Sequence, residues 1–133
     1  MTVSDAKAPY HAHIYYTAET REVAAALRER FAAAKAAGTI SELLFIGNMG
    51  DHAVGPHPIP EYEIHFTKAM LPAVTAMLEA SGLRALVHPL TDDDVADHTS
   101  LAQWIGEPLP LKLETLDPPG VNQGMARFGK SGF

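Results

Sequence analysis

The chain contains no cysteine. That excludes disulfides, thiolate metal sites and a cysteine nucleophile, and it fits a reducing, cytoplasmic setting. Positive charge is in the minority, with 10 Lys and Arg against 16 Asp and Glu. The formal net charge is −6 and no basic run interrupts the acidic balance, so a nucleic-acid partner is not indicated. No apolar run approaches the ~20 residues of a membrane span. Residues 1–8 have no apolar segment of the kind a secretory signal needs. A glycine-rich phosphate loop is missing too, because Gly47-Asn48-Met49-Gly50 does not open a helix. What remains is 133 residues, 47% apolar and 20% charged, a balance that supports one domain with a real core. Seven histidines are the unusual count, and their placement can be read.

Pro9-Tyr10-His11-Ala12-His13-Ile14-Tyr15-Tyr16 reads as a strand. Side chains alternate across a strand, so His11 and His13 share a face about 6.5 Å apart at a rise of about 3.3 Å per residue. Ala12, Ile14 and Tyr16 take the other face. One face is apolar and the other carries metal-binding chemistry.

Thr17 is a candidate helix cap, with Val23, Leu27, Phe31 and Ala34 at helical spacing and Gly38 as the stop. Residues 41–48 read as a second strand. Residues 49–60, rich in glycine and proline, read as a loop holding His52 and His57. Tyr62, Ile64 and Phe66 alternate with Glu61, Glu63 and His65 in a third strand. A second helix follows, stopped by Gly82, with Pro72 in its first turn. Residues 83–88 make a fourth strand closed by Pro89. Thr91 and three aspartates, Asp92–Asp94, open a shorter helix expected to reach toward Trp104. Residues 111–113 suggest a short edge strand, and 117–133 a mobile or partner-dependent tail. The expected division is a disordered start (1–8), a domain (9–116) and that tail.

This β-α-β-β-α-β order is the split βαβ pattern of a ferredoxin-like α+β fold. It predicts a four-stranded antiparallel sheet with two helices on one face, strands one and three central, and a C-terminal helical extension. Ala12, Ile14, Tyr16, Tyr62, Ile64, Phe66, Ala85 and Val87 would then face the helices. His11, His13, Tyr15, Glu61, Glu63, His65, Arg84, Leu86 and His88 would line the open face. The topology gathers His11, His13 and His88 at one end, where they are candidate metal ligands with open coordination positions. Glu63 is the candidate carboxylate, as a further ligand or behind one. His57 and His98 are candidates for acid–base work. Tyr15 and Arg84 are candidates for substrate contact. His65 reads as a solvated strand residue, and His52 as surface.

Six segments in order carry a resemblance: His-Ala-His-Ile-Tyr-Tyr (11–16), Gly-Pro-His-Pro (55–58), Tyr-Glu-Ile (62–64), Val-His-Pro-Leu-Thr (87–91), Asp-His-Thr (97–99) and Trp-Ile-Gly-Glu-Pro-Leu-Pro-Leu (104–111). Together they resemble the DOPA 4,5-dioxygenase family over about residues 9–113. The resemblance implies a ferredoxin-like homodimer that opens a catechol ring with O2, extradiol to the hydroxyls. It implies Fe(II), or zinc or another divalent metal as purified. The family motifs fall on His11, His13, His57, Glu63, His88 and His98, whereas His52, His65 and the tail lie outside them. Two other readings stay open on the same fold: a cofactor-free monooxygenase, and a non-catalytic dimer that binds a metal or a small aromatic.

Overall fold

Strand alternation and two glycine-stopped helices set the frame. A computed structural model of the chain describes residues 6–123, 125, 128 and 129. Its elements are β1 (Pro9–Tyr15), α1 (Arg21–Ala37), β2 (Leu43–Ile46), β3 (Glu61–Thr67), α2 (Leu71–Ser81), β4 (Ala85–Pro89), α3 (Asp94–His98) and β5 (Gln103–Ile105). The strands form one antiparallel sheet in the order β2-β3-β1-β4-β5. None of the described helices is long and apolar enough to cross a membrane.

The apolar face matches the alternation. Ala12, Ile14 and Tyr16 join Tyr62, Ile64, Phe66, Ala85 and Val87 in one core with Leu27 and Phe31 of α1 and Val74 and Leu78 of α2. Gly38 and Gly82 end the two helices at φ 82° and 75°, a left-handed turn that costs glycine little. The start of α1 differs from the sequence reading. Thr17 and Thr20 close a turn on themselves, Thr17 N–H to Thr20 Oγ1 at 2.9 Å, so the helix begins at Arg21. The buried stripe is Ala24, Leu27 and Phe31, with Ala34 packed against the core, and Val23 is left 43% exposed.

The sheet has five strands rather than four. The third helix stops at His98, where Leu101 N–H turns back to the Ala96 carbonyl, and it never reaches Trp104. Gln103, Trp104 and Ile105 pair instead with Val87, Leu86 and Ala85. Without β5 the edge of β4 would present unpaired backbone groups, and a tryptophan and an isoleucine suit a strand. The edge strand expected at 111–113 does not form. Pro108 and Pro110 have no N–H to give a ladder, and Lys112 N–H goes to the Pro56 carbonyl at 2.8 Å.

Two segments besides α3 close over the open face. The first is the loop 47–60, fastened at Asp51. Its carboxylate receives Tyr16 Oη–H at 2.9 Å and Arg21 through two nitrogens at 2.8 and 3.0 Å, and its own N–H donates to Tyr16 Oη. The second is the stretch after residue 116. Asp117 N–H donates to Asp94 Oδ2, Gly120 N–H to the Asp92 carbonyl, and Asn122 Nδ2 to Asp97 Oδ2 and the Thr91 carbonyl, all between 2.7 and 3.0 Å. The expectation of a disordered start falls partly on residues 1–5, which lie outside the described residues, as do 124, 126, 127 and 130–133 of the expected tail.

Candidate metal centre

Ladder register builds the site. His11 sits opposite His65 on β3 and His88 on β4, so three imidazoles form one row across the sheet. The next row holds Glu63, His13 and Leu86, and Glu61 lies opposite Tyr15 in the row beyond. The loop 47–60 adds His57 and α3 adds His98. His13 lies 4.2 Å from His57 and 5.0 Å from His88 between ring centroids, and His88 lies 4.3 Å from His98. All six histidines are buried, and all but His65 line a cavity of about 500 Å³ walled also by Thr115–Asp117, Asn122 and Gln123.

Hydrogen bonds behind the rings decide which nitrogens look inward. His88 Nδ1 donates to the Pro89 carbonyl and His98 Nδ1 to the Asp94 carbonyl, each at 2.8 Å. A carbonyl can only accept, so in the neutral rings the lone pair is on Nε2. His13 Nδ1 meets Glu61 Oε1 at 2.7 Å, and its Nε2 faces His88 Nε2 at 2.9 Å. Two imidazole nitrogens this close need a proton or a cation between them. His11 Nε2 is buried with no partner among the described residues. Tyr15 Oη lies 2.6 Å from His57 Nδ1; with no other acceptor for its O–H among the described residues it donates there, which puts the proton of a neutral His57 on Nε2.

Burial governs the charges. It lowers His13 and His57 to about 3 and holds His11 and His88 well below the usual imidazole range, with mutual repulsion adding to the effect. Burial lifts Glu61 to about 7. It pushes Glu63 up as well, but the His65 hydrogen bond and the neighbouring imidazoles bring Glu63 below its ordinary value. Tyr15 is raised by burial and then by Glu61, and it stays a phenol. At neutral pH His11, His13, His57 and His88 are therefore uncharged imidazoles, the form that binds metals.

These observations fit a metal ion. One ligand nitrogen from each of His11, His13 and His88 lies within 4.8 Å of the others. A carboxylate or carbonyl backs the outer nitrogen of His13 and of His88, and Glu63 stands 3.6 Å from that of His11, the arrangement that orients a metal-binding imidazole. His13, His57 and His98 form an overlapping group, but with Tyr15 donating to its Nδ1 a neutral His57 carries its proton on Nε2 and has no lone pair left for an ion.

The residues singled out from sequence do not all converge. His11, His13, His57, Glu63, His88 and His98 all line the cavity. Tyr15 touches it only through His57. Arg84 is exposed at the far end of β4, packed on Gly106, and is not part of the lining. His52 is exposed, as expected. His65 is not solvated: it is fully buried, stacked on His11 at 3.9 Å. The sequence reading left Glu61 without a role in the site, although its place two residues before Glu63 on the same face was a usable signal.

The chain is similar to known proteins. Residues 10–115 match the model of the Dopa 4,5-dioxygenase family. A DOPA 4,5-dioxygenase from Amanita muscaria is 34% identical over 80% of this chain and 49% of its own length. An uncharacterised 21.2 kDa protein from Botryotinia fuckeliana is 32% identical over 83% of this chain and 64% of its own. The chain thus spans about half to two thirds of these curated relatives. The crystal structure of a candidate dioxygenase from Nostoc punctiforme aligns with a TM-score of 0.72 at 34% identity, over 86% of this chain and 96% of that one. With the family match spanning β1 to the turn after β5, the chain belongs to the Dopa 4,5-dioxygenase family.

Proposed function

We propose that this protein is an iron-dependent extradiol dioxygenase that opens the ring of a catechol, on a ferredoxin-like domain over residues 9–116. One observation carries the proposal: His13 Nε2 and His88 Nε2 face each other at 2.9 Å, and His11 Nε2, in the same ligand group, has no partner among the described residues. The name of the Amanita relative points to DOPA as one catechol to try, and the strand order β2-β3-β1-β4 supports the fold.

His11, His13 and His88 would hold the metal, with Glu61 and Glu63 behind them. When bound, the ion supplies a Lewis acid and a template on which catechol and O2 meet. The chain's own residues manage protons and water. His98, with Nδ1–H fixed on the Asp94 carbonyl, has its Nε2 lone pair to accept a catechol proton and can return that proton as the ring opens. His57 remains neutral because burial holds its pKa low, so its part is to donate a hydrogen bond from Nε2 to the oxygen that gains charge. Tyr15 fixes His57 rather than touching substrate. Val54, Leu90 and Leu116 line the cavity and limit water. Both atoms of O2 enter the product, a C–C bond beside the hydroxyl-bearing carbons breaks, and no outside reductant is required.

The test is O2 uptake by protein loaded anaerobically with Fe(II), against DOPA, caffeate and protocatechuate, while watching for a yellow ring-opened product. Iron-dependent uptake with that colour is expected. Uptake that persists without iron would move the protein to the cofactor-free monooxygenases. No uptake by iron-loaded protein with any catechol would sink the proposed reaction.

A further inference from the structure

A second line of contacts runs behind the ligands to the C-terminal end of the described chain. Gly129 donates its backbone N–H to His65 Nδ1 at 2.9 Å. A backbone amide can only donate, so Nδ1 carries the lone pair and the proton of the ring sits on Nε2. That Nε2 lies 2.6 Å from Glu63 Oε2, and His65 donates there. The same Glu63 oxygen stands 3.6 Å from His11 Nδ1. Across the His11 ring is Nε2, which has no partner among the described residues. Phe128 stacks on His65 at 5.7 Å and on His11 at 6.2 Å, covering the pair.

His11, Glu63 and His65 also lie close enough to be considered as a second ligand group. The hydrogen bonds argue against that use. One nitrogen of His65 accepts from Gly129 and the other gives its proton to Glu63, so the ring has no lone pair left for an ion.

We infer that His65 is a positioning residue for the metal centre, held in one tautomer by the Gly129 amide and acting through Glu63 to keep the His11 Nε2 lone pair turned inward. The inference rests on the metal reading of His11, His13 and His88. Glu61 supports His13, with His57 Nε2 3.8 Å from the same oxygen, and the Pro89 carbonyl supports His88; behind the support of His11 stands the buried His65. It reaches residues 128 and 129, past the 10–115 of the family match, so the end of this chain becomes part of its metal centre.

The experiment is anaerobic titration of the full-length chain with Co(II), read by calorimetry and by the visible spectrum of the bound ion. His65→Leu should weaken Co(II) binding about 10- to 100-fold, the usual cost of losing a partner behind a ligand, and should shift the spectrum. His65→Gln keeps an N–H that can reach Glu63 and should restore binding to within a few-fold of the parent. Glu63→Gln should weaken binding as much as His65→Leu does, and His65→Leu added to Glu63→Gln should cost nothing more. Equal losses in the Leu and Gln variants, additive losses in the double variant, or an unchanged His65→Leu would each overturn the inference. If His65→Leu does not fold, the comparison passes to His65→Gln and Glu63→Gln; similar weakness in those two would also overturn it. A parent chain that takes up neither Co(II) nor Zn(II) removes the metal reading itself, and this inference with it.

Discussion

The two faces of the sheet use the same strands for opposite ends. On the helix face, successive alternate residues are apolar and meet α1 and α2; what they need is volume and shape. On the other face, the intervening residues are mostly histidines and glutamates, with Tyr15 and Leu86 among them, buried nearly as well under a loop, a five-residue helix and the stretch after residue 116. The first face stabilises the protein. The second stores unfavourable burial of polar groups, which an ion would relieve. The comparison teaches that stability and chemistry can be separated on one sheet by a period of two residues.

The sharpest way to break that comparison is to remove a ligand. His88→Ala should abolish stoichiometric metal uptake, and activity with it, while the melting temperature of the metal-free chain changes little; calorimetric titration and thermal unfolding together check this. Iron retained with full turnover would refute the ligand assignment. The converse change is Phe31→Ala on α1, a fully buried side chain. It should cost about 3–5 kcal/mol of stability and leave metal affinity per folded molecule unaltered, as urea unfolding with and without metal would report.

Acid should discriminate between the faces as well. Four imidazoles are held below their unfolded value, so on lowering pH through about 6.5 the unfolded chain takes up protons that the folded chain refuses until about 3 at His13 and His57. Metal-free stability therefore falls as pH drops through that window. Glu61 works the other way. Its folded pKa of about 7 lies above its unfolded one, so its destabilising effect is full above pH 7 and is relieved as pH falls. The histidines outnumber it, and stability should decline by about 1.4 kcal/mol per pH unit for each net proton, measured from urea midpoints between pH 7 and 4. A metal-free chain equally stable across that range would contradict the buried neutral histidines. The smallest effect is expected at Asp93→Ala, where Asp93 Oδ1 caps α3 by accepting the Ala96 N–H at 3.0 Å. The loss should be about 1 kcal/mol, also seen in the urea midpoint.

The helix face was legible from the sequence because its signal is local: a two-residue period from Ala12 to Tyr16 and from Tyr62 to Phe66 needs no partner to be seen. Part of the site was legible too, since the order of elements alone sets β4 beside β1 and brings His88 to His11. What escaped depends on distant contacts. Gln103–Ile105 is too short to announce a strand and forms on the edge that β4 offers. His65 looks like any strand histidine until residues 128 and 129 cover it. Arg84 shares the parity of the open face, but it stands at the wrong end of β4.

The fastening at Asp51 has a consequence for the cost of ordering the site. The loop 47–60 brings His57 to the cavity, and a chain free between two strands would wander over many conformations before presenting that ring. Asp51, tied to Tyr16 and Arg21, divides the span into two short arcs, and closure entropy rises with the logarithm of length. The freedom that His57 would otherwise give up on meeting a substrate has already been lost in folding.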